Sequence, residues 1–220
     1  MSVFYERKLL MIIFKEGFTA EEIPDKIWEN MQGKTYHENA LIGRKDLAYL
    51  KVSHYDFNHK VQRGELIVDR NLAQEVLEIF YTLYKNEYEI EKMNLCDVYD
   101  GDDNKCMADN NCSAFNYRTV DSTDVISMHG RGRAIDINPL INPYIVGEKV
   151  MPPQGVQYCN RELAFDHKID HNDLCYKVFL SHGWQWGGDW TNTKDYQHFY
   201  KPENSGLMGV LRRIKHKLKR

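Results

Sequence analysis

The stretch Ser127-Met128-His129-Gly130-Arg131-Gly132-Arg133-Ala134-Ile135-Asp136 decides how the rest of the chain is read. It sets a histidine, His129, seven residues before a carboxylate, Asp136, with two glycines between them and a short apolar run, Ala134 to Ile137, carrying the second. Such a run reads as a strand, and strand alternation puts Ala134, Asp136 and Asn138 on one face. The acid then emerges beside a side chain too small to block a metal. Gly130 and Gly132 let the chain turn tightly enough to bring His129 back over that face. Near the other end of the chain, Asp195-Tyr196-Gln197-His198 places an acid three residues before another histidine. Two imidazole nitrogens and one carboxylate oxygen are the donor set of a catalytic zinc, which keeps its fourth position for water. A closed structural site takes four protein ligands, often thiolates, and neither motif contains a cysteine.

The pattern Ser-x-His-x-x-Gly-x-Ala-x-Asp, followed far downstream by acid-x-x-His, resembles the zinc D-alanyl-D-alanine carboxypeptidases of the VanY type. These share a core with the D-Ala-D-Ala dipeptidases and with the L-alanyl-D-glutamate endopeptidases of phage lysins. The match holds at Ser127, His129, Gly132, Ala134, Asp136 and His198. It departs at the acid: many members have Glu-x-Trp-His, whereas Asp195 is one methylene shorter and Gln197 replaces the tryptophan. Other members also use Asp, so the change marks a branch. The flanking stretches Ser113 to Arg118, Asn138 to Tyr144 and Gly183 to Trp190 agree with a carboxypeptidase-like branch, and the resemblance runs from about Gly64 to Tyr200.

The resemblance implies an α+β fold in which a small, mostly antiparallel sheet carries a mononuclear zinc site flanked by helices, as in the hedgehog and D-Ala-D-Ala peptidase core. One Zn2+ per chain would be held by His129, Asp136 and His198. Asp195 would be the general base, Arg118 would face the oxyanion or a substrate carboxylate, and Ser127 would hydrogen-bond substrate. The expected reaction is hydrolysis of D-amino-acid-containing bonds in peptidoglycan stem peptides by a monomeric D,D-carboxypeptidase. An L-alanyl-D-glutamate endopeptidase and a non-catalytic zinc-containing cell-wall binding module remain as alternatives. Action is expected at the cell wall. Leu9 to Phe14 is too short for the apolar part of a signal peptide, so the localisation itself is not read from the sequence.

Composition agrees with a globular enzyme. The chain has 220 residues, 42% hydrophobic and 28% charged, enough for one well-buried core. The net charge of -3 hides an asymmetry, because six basic residues fall within 212–220 and leave -9 on the remainder. An acidic body of this kind argues against a nucleic-acid partner. No apolar run approaches the ~20 residues of a membrane span. Five cysteines with no C-x-x-C pair exclude a zinc knuckle and a thioredoxin motif. Cys106 and Cys112 are spaced to close a loop disulfide, against the plainer reading that the thiols are buried and idle.

Three regions are expected: an N-terminal extension over 1–45, the zinc peptidase domain over 46–204, and a basic amphipathic tail over 205–220. Thr19 to Glu22 reads as a capping box before a short helix from Pro24 to Met31. Strands are predicted over Tyr49 to Phe57 and Gly64 to Val68, then a helix capped by Asp69 and running from Asn71 to about Lys85. Its core face is Leu72, Val76, Ile79, Phe80 and Leu83. Asp97 to Asn111 carries five Asp but lacks the glycine and closing Glu of an EF-hand, so it reads as a solvated loop at the cleft edge. A strand follows over Ala114 to Val120. Residues 139–168, with four of the six prolines, read as a long loop walling the cleft. Arg131 and Arg133 are further candidates for anionic stem peptide, and His182 is the runner-up ligand. Leu207, Leu211, Ile214 and Leu218 recur at helical spacing in the tail. Such a helix would lie on an anionic wall polymer or membrane surface, or dock on its own domain.

Overall fold

The computed structural model describes residues 11–38, 41–119 and 125–203. In chain order it contains β1 (Met11–Lys15), β2 (Phe18–Glu21), α1 (Asp25–Met31), β3 (Leu47–Tyr55), β4 (Val61–Asp69), α2 (Ala73–Lys85), α3 (Asp103–Ala108), β5 (Ala134–Asp136), β6 (Tyr144–Val146), β7 (Lys149–Met151), α4 (Leu174–Ser181), β8 (Gln185–Trp186), β9 (Lys194–Asp195) and β10 (His198–Tyr200). The strands form three antiparallel sheets, ordered β1-β2-β3-β4, β5-β10-β8 and β7-β6-β9. The architecture is α+β, with few helices.

The four-stranded meander is the floor of the molecule. Alternation along β3 and β4 sends Ala48, Leu50, Val52, Leu66 and Val68 to one face and Leu47, Tyr49 and Ile67 to the other. α2 covers the first face with Val76, Leu77, Ile79, Phe80 and Leu83, all 1% exposed or less. Each such side chain contributes roughly 1.5–3 kcal/mol of burial. α1 and the segment around Phe115 cover the second face through Ile23, Met31 and Tyr36. Residues 11–36 therefore share a sheet and a core with residues 47–69.

Local signals were overridden where tertiary pairing competed. Thr19 does not cap a helix: it pairs with Lys51 inside β2, and α1 begins after Pro24. Asp69 does cap, accepting from the Asn71 amide, and a single turn leads into α2. The acidic stretch 97–111 is not a solvated loop, because it folds into a turn and α3 and its acids are spent on partners. Asp97 accepts from Thr35, Asp109 from Tyr99, and Asp103 from Asn116. Residues 114–119 run extended without becoming a regular strand, since the amides of Phe115 and Tyr117 go to different neighbours, Ile67 and Thr35. Residues 139–168 hold the β6–β7 hairpin and a 3-10 turn over Pro153–Tyr158, so this region is an organised wall.

All five thiols are unpaired. Cys106 faces Cys96, with sulfurs 3.8 Å apart, and so does not meet Cys112 as the sequence spacing suggested. No described helix is long and apolar enough to cross a membrane. The tail and its predicted amphipathic helix lie outside the described residues, as does the start of the Leu9–Phe14 run.

α4 begins at Asp173, whose carboxylate accepts from the amides of Cys175 and Tyr176 and from the Tyr88 hydroxyl. Burial pushes this carboxyl up to about 6, against the pull of those hydrogen bonds. A carboxyl that holds its proton more tightly when folded favours the native state at low pH. That contribution is lost as pH rises from about 4 through 6. Asp173→Asn keeps the capping acceptor without the charge. In urea denaturation it is expected to be roughly 1–2 kcal/mol more stable than the parent at pH 7.5, with the advantage vanishing at pH 4.

Candidate metal centre

The centre is assembled by register. β10 lies antiparallel to β5 with His198 opposite Asp136, Phe199 opposite Ile135 and Tyr200 opposite Ala134. Alternation sends Ile135 and Phe199 into the core, where Phe199 stacks on Phe179 at 4.4 Å. The same alternation turns Asp136 and His198 to the other face. On its far side Asp136 is bonded to Ser113, amide to carbonyl in both directions. The third side chain comes from the single 3-10 turn His129–Arg131, which ends at Gly132 with φ of 66°. A Cβ there would lie 2.4 Å from the Asp69 amide nitrogen, so only glycine lets this loop close onto β4.

The three side chains converge. His129 Nε2 lies 3.1 Å from His198 Nδ1 and 3.2 Å from an Asp136 oxygen, and His198 Nδ1 lies 2.9 Å from the other Asp136 oxygen. All three residues are buried. His129 Nδ1 sits 2.6 Å from the Ala114 carbonyl. A carbonyl only accepts, so Nδ1 carries the proton and Nε2 presents a bare lone pair to the centre. Three acceptors thus face one another in a buried space. One proton on His198 Nδ1 relieves one contact at a time, whereas a cation relieves all three. The separations are close to the roughly 3.3 Å edge of a tetrahedron with ~2.0–2.1 Å arms, so the donor set fits a zinc-sized ion. Burial alone would raise the Asp136 carboxyl, whereas protons on the two imidazoles outweigh it and hold the group well below the usual carboxylate range. Among the described residues this is the one group of three or more such side chains placed to hold a metal.

Asp195 is delivered by a different sheet. It ends β9, opposite Tyr144 of β6, and the two-residue link Tyr196-Gln197 carries the chain across to β10. Its Oδ1 is sealed from solvent and has no hydrogen-bond partner. Burial pushes its carboxyl up to about 7, with the Asp136 charge adding to the rise and His198 opposing it. Gly187 fits between acid and ligand: a Cβ there would meet the Asp195 Cβ and carbonyl at 2.7 Å and the His198 Cβ at 3.3 Å. The sequence hinted at this only through the paired glycines after Trp186. Trp190, half-buried, sets its ring 5.6 Å from that of His198 and walls the centre.

The remaining candidates divide. Arg118 is exposed and ion-paired with Asp103, and its charge lowers the Asp195 carboxyl slightly, so it borders the centre without touching the ligands. Ser127 is buried, and its hydroxyl accepts from the Gly130 amide, bracing the turn that carries His129. Arg131 is paired with Glu203, and Arg133 is spent on Asp69, the Lys201 carbonyl and the Pro202 carbonyl. His182 ends α4 and offers its carbonyl to Lys201. Trp184 and Trp186 are core residues whose indoles donate to Glu75 and to the Tyr196 carbonyl. A cavity of about 750 Å³ beside His59, Glu89 and His167 contains none of these groups, and its imidazoles pair with its own glutamates.

No curated protein and no solved structure matches the chain. A family model described as D-alanyl-D-alanine carboxypeptidase matches residues 120–201, a little over a third of the chain. The match is shorter than the span suggested by the motifs and leaves Arg118 outside. It takes in Ser127, His129, Asp136, Asp195 and His198, and over this segment the chain is related to the VanY-type metallopeptidases.

Proposed function

We propose that the protein is a zinc metallopeptidase that hydrolyses bonds involving D-amino acids in peptidoglycan stem peptides, acting as a D,D-carboxypeptidase on the hedgehog and D-Ala-D-Ala peptidase type of core. The reading is carried by one juxtaposition: three convergent buried acceptors and, beside them, a sealed carboxylate whose Oδ1 is bare. His129, Asp136 and His198 would hold the metal. A bound zinc supplies Lewis acidity, polarising the scissile carbonyl and making a nucleophile available from water at neutral pH.

The protein's own groups do the rest. Asp195 accepts the proton of the attacking water on one carboxylate oxygen and returns it to the leaving amine. A carboxyl titrating near neutrality suits both halves of that shuttle. Arg118, in reach of the Asp195 charge, receives the substrate's terminal carboxylate once it leaves Asp103. Ser127, whose oxygen is already held by Gly130, has its proton free to meet a substrate carbonyl. Trp190 and the β6–β7 hairpin keep water from the peptide as it binds.

Metal binding is tested apart from turnover. Asp136→Ala is expected to weaken zinc, read by competition with a chromophoric chelator, more than the ~10–100-fold typical of losing a supporting partner. An unchanged affinity would remove the centre.

Incubating the zinc-loaded protein with a pentapeptide stem ending in D-Ala-D-Ala should release a single D-Ala, read by mass spectrometry. Asp195→Asn should retain zinc and lose about 10²–10⁴-fold in kcat. An internal cut would convert the reading to an endopeptidase, and full activity of the variant would dismiss Asp195 as the base.

A further inference from the structure

Two buried acceptors lie two residues apart without partners, Asp195 Oδ1 and Gln197 Oε1. Gln197 is 2% exposed, and its backbone carbonyl accepts from the Ile137 amide, so the residue cannot swing away to reach water. Its amide nitrogen has only the Met107 sulfur, at 3.5 Å, and a thioether is a weak acceptor. Leaving a buried acceptor unpaired is unfavourable, and here two are left so. One half-turn of the carboxamide answers both vacancies, because its two ends have the same shape. The carbonyl then rests against Met107, and the amino end faces the carboxylate. The two side chains are near enough for the carboxamide to lower the Asp195 carboxyl.

We propose that Gln197 is a positioning residue for Asp195, its side-chain amide donating the hydrogen bond that Oδ1 lacks. A charge-assisted bond of this kind fixes the carboxylate and leaves the second oxygen to face the reacting water. The arrangement suits an acid one methylene shorter than Glu, whose reach must come from placement. The inference rests on Asp195 being the proton acceptor of the proposed reaction.

Two measurements on the zinc-loaded protein test it, one of them independent of turnover. The side-chain amide resonances of Gln197, identified by their loss in Gln197→Met, should move upfield in Asp195→Ala. Resonances that stay in place would overturn the pairing whatever the protein catalyses. In steady-state kinetics Gln197→Met should lower kcat about 10–100-fold, the scale of a misplaced catalytic group, with KM and zinc affinity unchanged. It should cost nothing further in an Asp195→Asn background. Equal losses in both backgrounds, or loss of zinc, would make Gln197 a packing residue and overturn the proposal. If the parent protein cleaves no stem peptide, the functional reading falls while the amide resonances still decide the pairing.

Discussion

The structure depends on one cross-strand pair, Asp136 of β5 opposite His198 of β10. Directly opposed residues on one face of an antiparallel pair have Cβ atoms about 4.5–5.5 Å apart, close enough for two side chains to share an ion. A slip of β10 by one residue would turn His198 into the core and Phe199 out of it. The register is therefore held by hydrophobic burial. Phe199, stacked on Phe179 and packed near Trp186, fixes the strand that holds His198. Core and centre are two faces of the same three-residue strands.

Given that pair, the third ligand needs only a short turn. Gly132 lets the turn fold onto β4, and the Ala114 carbonyl selects which imidazole nitrogen of His129 faces inward. Apposing three acceptors without a cation is unfavourable, and a well-packed scaffold has to hold them together. The meander, with α2 on one face and α1 on the other, supplies that rigidity. Its contribution explains why residues outside the matched segment are bound so closely into the fold.

The convergent side chains were legible in the sequence because their chemistry is tied to short spacings: His129 and Asp136 across two glycines, Asp195 and His198 across two residues. The long helix was legible too, since a 3.6-residue period over Leu72 to Leu83 depends on nothing remote. What escaped was set by distant partners. Thr19 looks like a cap until Lys51 claims it as a strand residue. The acids of 97–111 look solvated until Thr35, Tyr99 and Asn116 are brought to them. Nothing local marks the Ala114 carbonyl as the partner of His129, because a backbone oxygen carries no residue signature. Arg133 looks free to bind anions only while Asp69, more than sixty residues away, is out of view.

The acid and the ligands belong to different sheets, and this shapes how the centre can work. His198 is placed by β5, whereas Asp195 is placed by β6, whose partner β7 forms the outer wall. Only Tyr196 and Gln197 span the gap, with Gly187 setting how closely the two sides approach. A shift of the β6–β7 hairpin would therefore move the carboxylate relative to the ligands while leaving their mutual geometry intact. On the proposed function, metal affinity and proton transfer become separable properties of the chain. Variation in the hairpin can tune the second without loss of the first, and the acid motif is where such tuning would be expected to show in sequence.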